Sequence, residues 1–578
     1  MKPVQLLAQF DRISDAPDAI PRLRRFILDL AVCGKLVNQD PRDEPAFELL
    51  TRIQKEKARR IKDGNLREQK PLPLAKEEQA DFELPNGWQW VRMADVIKLW
   101  NGYAFKSADF QSKGVPVIRI GDLQAGEVVL SNAVCVSEAT ANNVGAEVWI
   151  PAGALLIAMS GATTGKVAFN LTGVRLLLNQ RVGRIEVFLM STHFIRFFFD
   201  TIVARNLSIS FGTAIPNLST QQINETIVPL PPLAEQHRIV AKVDELMALC
   251  DRLEAAQAER ESRRDRLVAS SLNRLNNGAD PDAFRSHARF YFNQLQRLTT
   301  RHEHVKKLRG AILNLAFRGW LTSPWRETAE FVGTAQEFRL SVENARKNAW
   351  DKKQVAGSTR KYLFPIEFDR ENLPTIPDSW VWASADAVCS QITDGEHIQP
   401  CYQPEGLPML TAKHVREGFV TFEDSELISE SDFKKCVARC KPEEGDILVV
   451  SVGATTGRAA IVSQSRPFAL VRSVLLLKPL ISPAYFLRWL QSPWCFVWMR
   501  QASEASAQPH LYIGDTRRMP VPLPPLAEQQ RIVAKVDELM AVCDRLEAQL
   551  TTTQTESHRL LEAVLAELLQ YDVAPMGG

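Results

Sequence analysis

Apolar residues recur at helical spacing in two segments of the chain, one in the middle and one near the end. In each segment the separation of successive apolar residues alternates between four and three positions. This alternation is the a/d pattern of a coiled coil. The positions that carry it are Ile239, Val243, Leu246, Cys250 and Leu253 in the first segment and Ile532, Val536, Leu539, Cys543, Leu546 and Leu550 in the second. We therefore predict two long helices that pair with each other as an antiparallel coiled coil.

The two helical segments are near-copies of each other. Residues 228–255 and 521–548 differ only at His237/Gln530 and Leu249/Val542, and the offset between them is 293 positions. Weaker matches at offsets of 285 to 292 join residues 23–36 to 308–321, 84–90 to 376–382, and 161–165 to 453–457. A chain that repeats the same parts in the same order is an internal tandem duplication. We expect a fold with pseudo-twofold symmetry.

The blocks between the repeats have diverged, and their patterns predict strands. Short β-branched runs bounded by glycine and other turn residues are typical of strands. These runs are 116–120, 154–158 and 181–187 in the first block and 407–410, 446–451 and 474–477 in the second, and they are followed by predicted helices at 194–204 and 483–501. Each block is therefore expected to be a mixed α/β globule, which makes the fold class α/β (α+β).

These patterns divide the chain into six segments. Helical arms, the first of which includes a charged helix from Phe47 to about Lys62, precede the globules, and the long helices follow them. The predicted segments are a first arm at 1–81, a first globule at 82–232, a central helix at 233–300, a second arm at 301–372, a second globule at 373–525 and a final helix at 526–578.

Composition excludes several classes of protein. With 45 % hydrophobic and 24 % charged residues, the 578-residue chain has the composition of a globular protein. Its formal net charge of +2 neither demands nor excludes nucleic acid, so binding to DNA requires a local basic surface. We expect no signal peptide, because the first residues contain no long apolar run, and no membrane span, because no apolar run of about 18 residues occurs. Nine cysteines without disulfide-framework spacing fit a reducing cytoplasm.

No motif in the sequence predicts catalysis. The segment Ser160–Lys166 resembles a phosphate-binding loop, but three rather than four residues separate its glycines, and Arg458 replaces the lysine in the second copy. We expect a tight turn there. Neither an Asn/Asp-Pro-Pro-aromatic methyltransferase signature nor a GxGxxG nucleotide motif is present. Zinc is a weaker alternative because no CxxC pair occurs among the candidates Cys389, Cys401, Cys436, Cys440, His397 and His414.

Basic residues beside glycine, threonine, serine and asparagine turns are candidates for contact with DNA. Such turns supply contacts to phosphates and base edges. The candidates are Lys106, Arg119, Lys166 and Arg181 in the first globule and Lys413, His414, Arg458 and Arg472 in the second. The alternative for each of them is an ordinary solvated surface charge. For Trp88, Trp90, Trp380 and Trp382, core packing is the main interpretation and base stacking the alternative.

The chain resembles the specificity subunit of Type I restriction–modification systems. The duplicated sequence PLPPLAEQxRIVAKVDELMAxCDRLEA, placed after each globule, carries most of the resemblance. Further matching segments are Asn101-Gly102, Phe105–Ser107, Gly114–Leu123, Ser160–Val167, Leu178–Arg181 and Gly212–Ser219. The second globule follows the pattern more loosely, with Leu410–Lys413 and Ala507–Leu511 in place of the corresponding segments.

The resemblance implies a function in DNA recognition. The globules would be two target recognition domains, and each would read one half of a bipartite target in double-stranded DNA. The long helices, with Ile239, Val243, Leu246, Leu253, Ile532, Val536, Leu539 and Leu546 on their seams, would set the spacing and dock partners. The partners would be two methyltransferase subunits and two motor-nuclease subunits, which would carry AdoMet, ATP and magnesium and form a restriction endonuclease and adenine-N6 methyltransferase. The chain itself would have no cofactor and no catalytic activity.

Three other hypotheses remain. The chain could be a DNA-binding adaptor of another defence enzyme, which co-purifying subunits would distinguish. A coiled-coil scaffold without a role in DNA binding would leave the two unlike globules unexplained. An enzyme acting alone would need a catalytic domain, for which the identified segments leave no room.

Overall fold

The computed structural model describes most of the chain, in two compact units. The described residues are 18–66, 72, 82–161, 163–209, 218–277, 281–328, 334–355, 368–369, 373–397, 401–464, 466–503 and 509–570. Unit 1 comprises residues 1–260 and 553–578, and unit 2 comprises residues 261–552. Both divisions between the units fall inside long helices, whereas the sequence patterns placed segment boundaries at the ends of those helices.

Unit 1 consists mainly of an arm, a globule and the first part of the first long helix, α7, which continues past residue 260. Its helices are α1 (Ala19–Val32), α2 (Ala46–Lys62), α3 (Met93–Val96), α4 (Glu138–Asn142), α5 (Thr192–Ile209), α6 (Thr220–Glu225) and α7 (Leu233–Asn277). The strands are β1 (Gln89–Arg92), β2 (Ile97–Asn101), β3 (Val115–Ile118), β4 (Leu123–Gln124), β5 (Glu127–Val128), β6 (Val134–Val136), β7 (Trp149–Ile150), β8 (Leu155–Ala158), β9 (Val167–Phe169), β10 (Leu176–Leu178), β11 (Val182–Val187) and β12 (Ile227–Leu230).

Unit 2 repeats this order of parts. Its helices are α8 (Pro281–Asn293), α9 (Leu295–Leu298), α10 (His302–Phe317), α11 (Ser323–Thr328), α12 (Ala335–Val355), α13 (Ala385–Val388), α14 (Glu430–Arg439), α15 (Pro483–Leu490), α16 (Pro493–Ser503), α17 (Ile513–Arg518) and the second long helix, α18 (Leu526–Gln570). Its strands are β13 (Val381–Ser384), β14 (Cys389–Asp394), β15 (Tyr402–Gln403), β16 (Leu407–Leu410), β17 (Gly418–Phe419), β18 (Glu426–Ile428), β19 (Ile447–Val450), β20 (Ala459–Ile461), β21 (Ala469–Leu470), β22 (Val474–Pro479) and β23 (Pro520–Leu523).

Each globule is built on two main sheets and a two-stranded closure. In unit 1 the sheets have the orders β2-β11-β8-β9-β5-β4 and β6-β3-β10-β7, and in unit 2 the orders are β14-β22-β19-β20-β17 and β15-β18-β16-β21. The first and last strands of each globule pair antiparallel, β1 with β12 and β13 with β23, so the chain enters and leaves the globule at one place. The mixed α/β architecture predicted for both blocks is confirmed.

The central strand of each larger sheet is apolar throughout because both of its faces are buried. In β8, Leu155 and Ile157 pack with the helices, whereas Leu156 and Ala158 pack against the smaller sheet. Strand β19 alternates in the same way between two cores. A strand buried on both faces reads as a continuous apolar run. This explains why both strands were found in the sequence to within one residue at each end.

A buried carboxylate at the start of each long helix holds the closure of the globule. Glu235 of α7 accepts a hydrogen bond of 2.9 Å from the indole nitrogen of Trp88, and Glu528 of α18 accepts one of the same length from Trp380. The next residue, Gln236, donates to the carbonyl of Pro231 at 2.9 Å and accepts from the backbone nitrogen of Ser191 at 2.8 Å. This buried polar network explains why the Glu-Gln pair is retained at the two helix starts.

Burial of Trp88 and Trp380 confirms their assignment to the core. They are 8 % and 4 % exposed. Trp382 is partly buried and packs edge-on against Trp489. Base stacking is therefore excluded for the two fully buried indoles.

The apolar seams lie in the cores of the units. Ile239, Val243, Leu246 and Cys250 are buried in one core with Leu23 and Ile27 of the arm helix α1. In unit 2 Ile532, Val536 and Cys543 are buried with Leu308 and Ile312 of α10. Leu253, Leu539 and Leu546 are partly buried on the same stripes. The arm helix is thus a partner of the seam within each unit, which the sequence patterns had not indicated.

Equivalent ion pairs lock each arm helix to its long helix. Arg24 lies 2.7 Å from Asp251 and 2.8 Å from Glu254. Arg309 lies 2.6 Å from Asp544 and 3.0 Å from Glu547. The duplication therefore preserved both the apolar and the charged contacts of this frame.

Two predicted helical segments each contain more than one helix. The helix predicted over 483–501 is two helices, α15 and α16, because the chain turns at Ser492 and Pro493 starts the second one. The central segment 233–300 contains the helices α7, α8 and α9 instead of one helix.

The charged helix predicted from Phe47 is confirmed as α2. Its Lys57 donates to the carbonyl of Ala94 at 2.6 Å, and Arg60 pairs with Glu186 at 2.7 Å, so part of its charged face is docked on the globule.

Candidate nucleic-acid interface

Four segments that lie far apart in the sequence of unit 1 converge on one group of loops. We call residues 101–106, 118–122, 158–166 apart from residue 162, and 179–181 the first loop cluster. The backbone nitrogen of Tyr103 donates to the carbonyl of Leu178 at 2.9 Å, and that of Gln180 donates back to Tyr103 at 3.0 Å. The backbone nitrogen of Asn179 donates to the carbonyl of Ile118 at 3.2 Å, and that of Met159 donates to the carbonyl of Arg181 at 2.9 Å. The cluster therefore has a backbone fixed by reciprocal hydrogen bonds.

Close backbone approach explains the glycine in the first of these segments. A Cβ atom on Gly102 would lie 2.0 Å from the carbonyl oxygen of Asn179. No side chain fits at that distance, so the contact between the 101–106 and 179–181 segments requires glycine.

The segment that resembles a phosphate-binding loop is a tight turn, as predicted. Gly161 and Gly165 have φ angles of 84° and 86°, in the left-handed region that favours glycine. The hydroxyl of Thr164 donates to the carbonyl of Gly161 at 2.7 Å, and the backbone nitrogen of Gly165 donates to Ala158 at 2.7 Å. The turn presents the exposed side chain of Lys166 at the start of β9.

Unit 2 carries the same frame with different side chains. We call residues 394–397, 410–414, 450–458 and 471–473 the second loop cluster. The backbone nitrogen of Glu396 donates to the carbonyl of Leu470 at 2.8 Å, and that of Arg472 donates back to the carbonyl of Glu396 at 3.0 Å. The backbone nitrogen of Val471 donates to the carbonyl of Leu410 at 3.1 Å. Thr456 and Gly453 close the turn with a hydrogen bond of 2.7 Å. Backbone geometry is thus shared by the two clusters, while the side chains on it differ.

The basic candidates predicted from the sequence of unit 1 all lie at the first loop cluster. Lys106, Arg119, Lys166 and Arg181 are exposed, and each belongs to one of the four converging segments. Arg119 also donates to the carbonyl of Asn132 at 3.3 Å. The cluster therefore combines an exposed positive charge with a fixed backbone, the combination that phosphate contacts need.

In unit 2 three of the four basic candidates lie at the surface of the second loop cluster. Arg472 and Lys413 are exposed and Arg458 is half-buried. The ammonium of Lys413 donates to the carbonyl of Asp424 at 2.9 Å. Arg458 occupies the position of Lys166, so both turns carry a cation.

His414 does not fit its predicted role in DNA contact. It is 1 % exposed, and its Nδ1 accepts a hydrogen bond of 2.9 Å from the backbone nitrogen of Thr411. Burial lowers the pKa of His414, which keeps the ring neutral and able to accept. The equivalent residue of unit 1, Asp122, accepts from the backbone nitrogen of Arg119 at 2.8 Å. His414 is therefore a buried cap of a turn. The prediction that it contacts DNA, which was made from its residue type, is wrong.

The candidates on the long helices form the frame and leave little surface for a partner. Ile239, Val243, Ile532 and Val536 are at most 1 % exposed, and Leu246 is 7 % exposed. Side chains this deeply buried hold the helix to its own unit. A contact with a partner subunit must use the exposed faces of these helices instead.

One residue of the first loop cluster was not predicted from its charge. Gln180 is exposed and stands at the position of Arg472 in the second cluster. Its side chain is neutral, so charge does not identify it. The available signal was its place within the segment Leu178–Arg181.

Among the described residues, no group of three or more histidine, cysteine, aspartate or glutamate side chains could hold a metal ion. The zinc alternative therefore has no support there. The nine cysteines, all in described segments, are free thiols. No helix in the described part of the chain is long and apolar enough to cross a membrane.

Comparison with known proteins places both globules in one family. The family described as Type I restriction modification DNA specificity domain matches residues 85–260 and 402–553. The specificity subunit of the Type I restriction enzyme EcoAI from Escherichia coli is 28 % identical over 572 residues, covering 93 % of this chain and 92 % of that protein. The EcoBI specificity subunit from Escherichia coli is 26 % identical, covering 84 % of this chain and 86 % of that protein.

A solved structure described as "Structural basis underlying complex assembly and conformational transition of the type I R-M system" is also similar to this chain. The match covers 85 % of this chain and 100 % of the other, with 18 % sequence identity and a TM-score of 0.47. The family match alone spans more than half of the 578 residues. The chain therefore belongs to the Type I restriction–modification DNA specificity family, as a non-catalytic specificity subunit with two such domains.

Proposed function

We propose that each loop cluster binds one half of a bipartite target in double-stranded DNA. The observation that carries this proposal is the shared backbone frame with unlike side chains. Tyr103, Gln180 and Arg181 in unit 1 stand where Glu396, Arg472 and Ser473 stand in unit 2. Since sequence is read by side chains on base edges, one frame with two sets of side chains reads two different sequences.

The cations at the clusters supply the part of binding that does not depend on sequence. Lys166 and Arg458 keep a positive charge at the same position of the two turns. The turn that carries this charge is retained as well, whereas Gln180 and Arg472 differ elsewhere in the clusters. A retained charge on a retained turn suits a phosphate, which is the same at every base pair. Neutralising phosphates releases counterions, so these contacts make affinity depend on salt.

We further propose that the two long helices dock two methyltransferase subunits, and that two motor-nuclease subunits join them. The support is the identity of the helices at exposed positions, which core packing does not require. Glu245 matches Glu538 and Arg252 matches Arg545, and all four side chains are exposed. Two identical exposed surfaces in one chain fit two copies of one partner.

The chemistry of the assembled complex belongs to these partners in this proposal. AdoMet, ATP and magnesium would bind to the methyltransferase and motor-nuclease subunits, which would make the complex a restriction endonuclease and adenine-N6 methyltransferase. We place the chain in the cytoplasm, where a protein with nine free thiols meets a reducing environment and DNA.

The experiment is DNA binding by the complex of this chain with its methyltransferase partner, over a series of salt concentrations. We expect Lys166→Ala and Arg458→Ala each to weaken binding to the bipartite duplex and to reduce the slope of log K against log salt by about one. Neither variant should change the bases recognised. The matched control is Lys55→Ala, on the exposed face of α2 away from the cluster. Wild-type affinity and salt slope in both cluster variants would remove the assignment of these turns to DNA.

A further inference from the structure

The shared frame allows positions of the two loop clusters to be compared one by one. Gln180 and Arg472 occupy the same position: their backbone nitrogens donate at 3.0 Å to the carbonyls of Tyr103 and Glu396, respectively. The following turn is also the same. The backbone nitrogen of Val182 donates to the carbonyl of Asn179 at 2.9 Å, and that of Val474 donates to the carbonyl of Val471 at 3.0 Å. The two side chains therefore leave the backbone from equivalent points.

Both side chains are available to a ligand. Each is exposed, and neither forms a hydrogen bond or an ion pair with another side chain in the described segments. Two other polar side chains at the clusters have internal partners: the hydroxyl of Thr220 donates to the side-chain oxygen of Asn101 at 3.1 Å, and the ammonium of Lys413 donates to the carbonyl of Asp424 at 2.9 Å. A polar side chain with open hydrogen-bonding groups on a fixed backbone is suited to direct readout.

The two residue types match different bases. A glutamine amide can both donate and accept, which fits the N6 and N7 edge of adenine in the major groove. An arginine guanidinium only donates, and its paired N–H groups fit O6 and N7 of guanine. Lys166 and Arg458 differ from this pair because both are cations and neither side chain distinguishes one phosphate from another.

We propose that position 180/472 is a specificity-determining position, at which Gln180 reads an adenine in the first half-site and Arg472 reads a guanine in the second. This inference rests on the proposed function, since it assigns one base contact within each DNA-binding cluster. It predicts a reciprocal exchange. Gln180→Arg should convert one adenine of the first half-site to guanine, and Arg472→Gln should convert one guanine of the second half-site to adenine.

The test is methylation mapping of the genome of a host that expresses the complete complex with each variant. Gln180→Arg and Arg472→Gln should each change a single base, in one half-site only, and the double variant should change both. On duplexes that differ at that base, the preference for the wild-type base should fall by about ten-fold or more. Gln54→Arg, which makes the same change at an exposed position of α2, should leave the target unchanged.

A second pair of variants tests the same position if Gln180→Arg and Arg472→Gln make the complex inactive. Gln180→Ala and Arg472→Ala remove the contact without adding a new one, and each should relax recognition at the same single base. Two failures are distinguishable. A wild-type complex that methylates no bipartite target overturns the proposed function, whereas a bipartite target whose bases are unchanged in all four variants overturns only the assignment of position 180/472.

Discussion

A single buried side chain determines the turn that follows β16 in the second loop cluster. His414 caps the backbone at Thr411 as Asp122 caps it at Arg119, with donor–acceptor distances of 2.9 and 2.8 Å. Two chemically different side chains thus perform one structural role, because each places an acceptor at the same point. Lys413, the residue before the cap, remains at the surface, whereas Val415 after it is buried.

The substitution His414→Asp tests this role. Because Asp122 already performs it in unit 1, we expect the variant to fold and to keep both half-sites, as read by methylation mapping. His414→Leu removes the acceptor and should lower the free energy of unfolding by about 1 kcal/mol, the usual loss for a cap. Urea unfolding of the full chain measures the difference. A changed second half-site in His414→Asp would show that the ring reaches DNA after all.

A second residue-scale prediction concerns the buried carboxylate of α18. The side chain of Glu528 is fully buried, and it accepts hydrogen bonds from Arg326 at 2.5 Å and Thr322 at 2.7 Å in addition to that from Trp380. Arg326→Ala leaves this charge with neutral donors only, so we expect a loss of about 3–5 kcal/mol in the free energy of unfolding.

The matched control for that loss is an exposed ion pair. Arg52 pairs with Glu44 at 2.8 Å while 48 % of its side chain is exposed, so Arg52→Ala should cost about 0–1 kcal/mol. Urea unfolding of both variants provides the comparison. Equal losses would mean that burial of Glu528 contributes nothing to the strength of its pairing.

Residue-level prediction from the sequence depended on charge, and charge does not report burial. Three of the basic residues predicted to contact DNA, Lys106, Lys166 and Arg181, do lie together in the first loop cluster. His414 was predicted on the same ground but is buried, whereas the neutral Gln180 was not predicted although it is exposed. Burial depends on contacts between segments far apart in the sequence, so periodicity within one segment could not supply it.

At the scale of elements, hydrophobic pattern was informative wherever an element was long enough to show a period. The strands β8, β16 and β19 were predicted to within one residue at each end. Two-residue strands such as β4 and β17 carry no recognisable period and were missed. The long helices were predicted from their seams, but the packing of those seams on α1 and α10 was not, because an apolar stripe does not identify its partner.

The packing of the seam on the arm helix gives an element-scale prediction. Ile239 and Ile532 are each 0 % exposed at equivalent positions, so changing either to alanine should lower the free energy of unfolding by about 2–5 kcal/mol. Leu253 and Leu546 lie on the same stripes but are only partly buried, and their alanine variants should lose less. Thermal unfolding of the four variants decides this. Similar losses at all four positions would contradict a seam that is buried mainly in its first half.

For the whole molecule, the duplication in the sequence correctly indicated two units with the same order of parts. The division between compact units lies within α7 and α18, after residues 260 and 552. The reason is that the first half of α7, up to Cys250, packs in the core of unit 1, whereas Val268 and Leu272 pack in the core of unit 2. Sequence alone shows where a helix begins and ends but not which core each half of it joins.

The exposed middle of α7 leads to a prediction about the DNA target. Residues 254–267 include no buried side chain, and Leu267 is 45 % exposed. Its counterpart in α18 is Leu560, and the next residues, Val268 and Leu561, are both 0 % exposed. We therefore expect that insertion of four residues after both Leu267 and Leu560 preserves the two cores. Four residues add about 6 Å to a helix and bring the following side chains back to nearly the same face.

In the proposed function the long helices set the distance between the two half-sites. Since one base pair advances the duplex by about 3.4 Å, an added 6 Å should lengthen the unspecified gap of the target by one or two base pairs. Both half-sites should stay the same, because neither loop cluster is altered. Methylation mapping of the double-insertion variant measures the gap and the half-sites together, and a variant with four residues inserted into only one helix serves as the comparison. An active, folded double-insertion variant with an unchanged gap would mean that an element other than α7 and α18 determines the spacing.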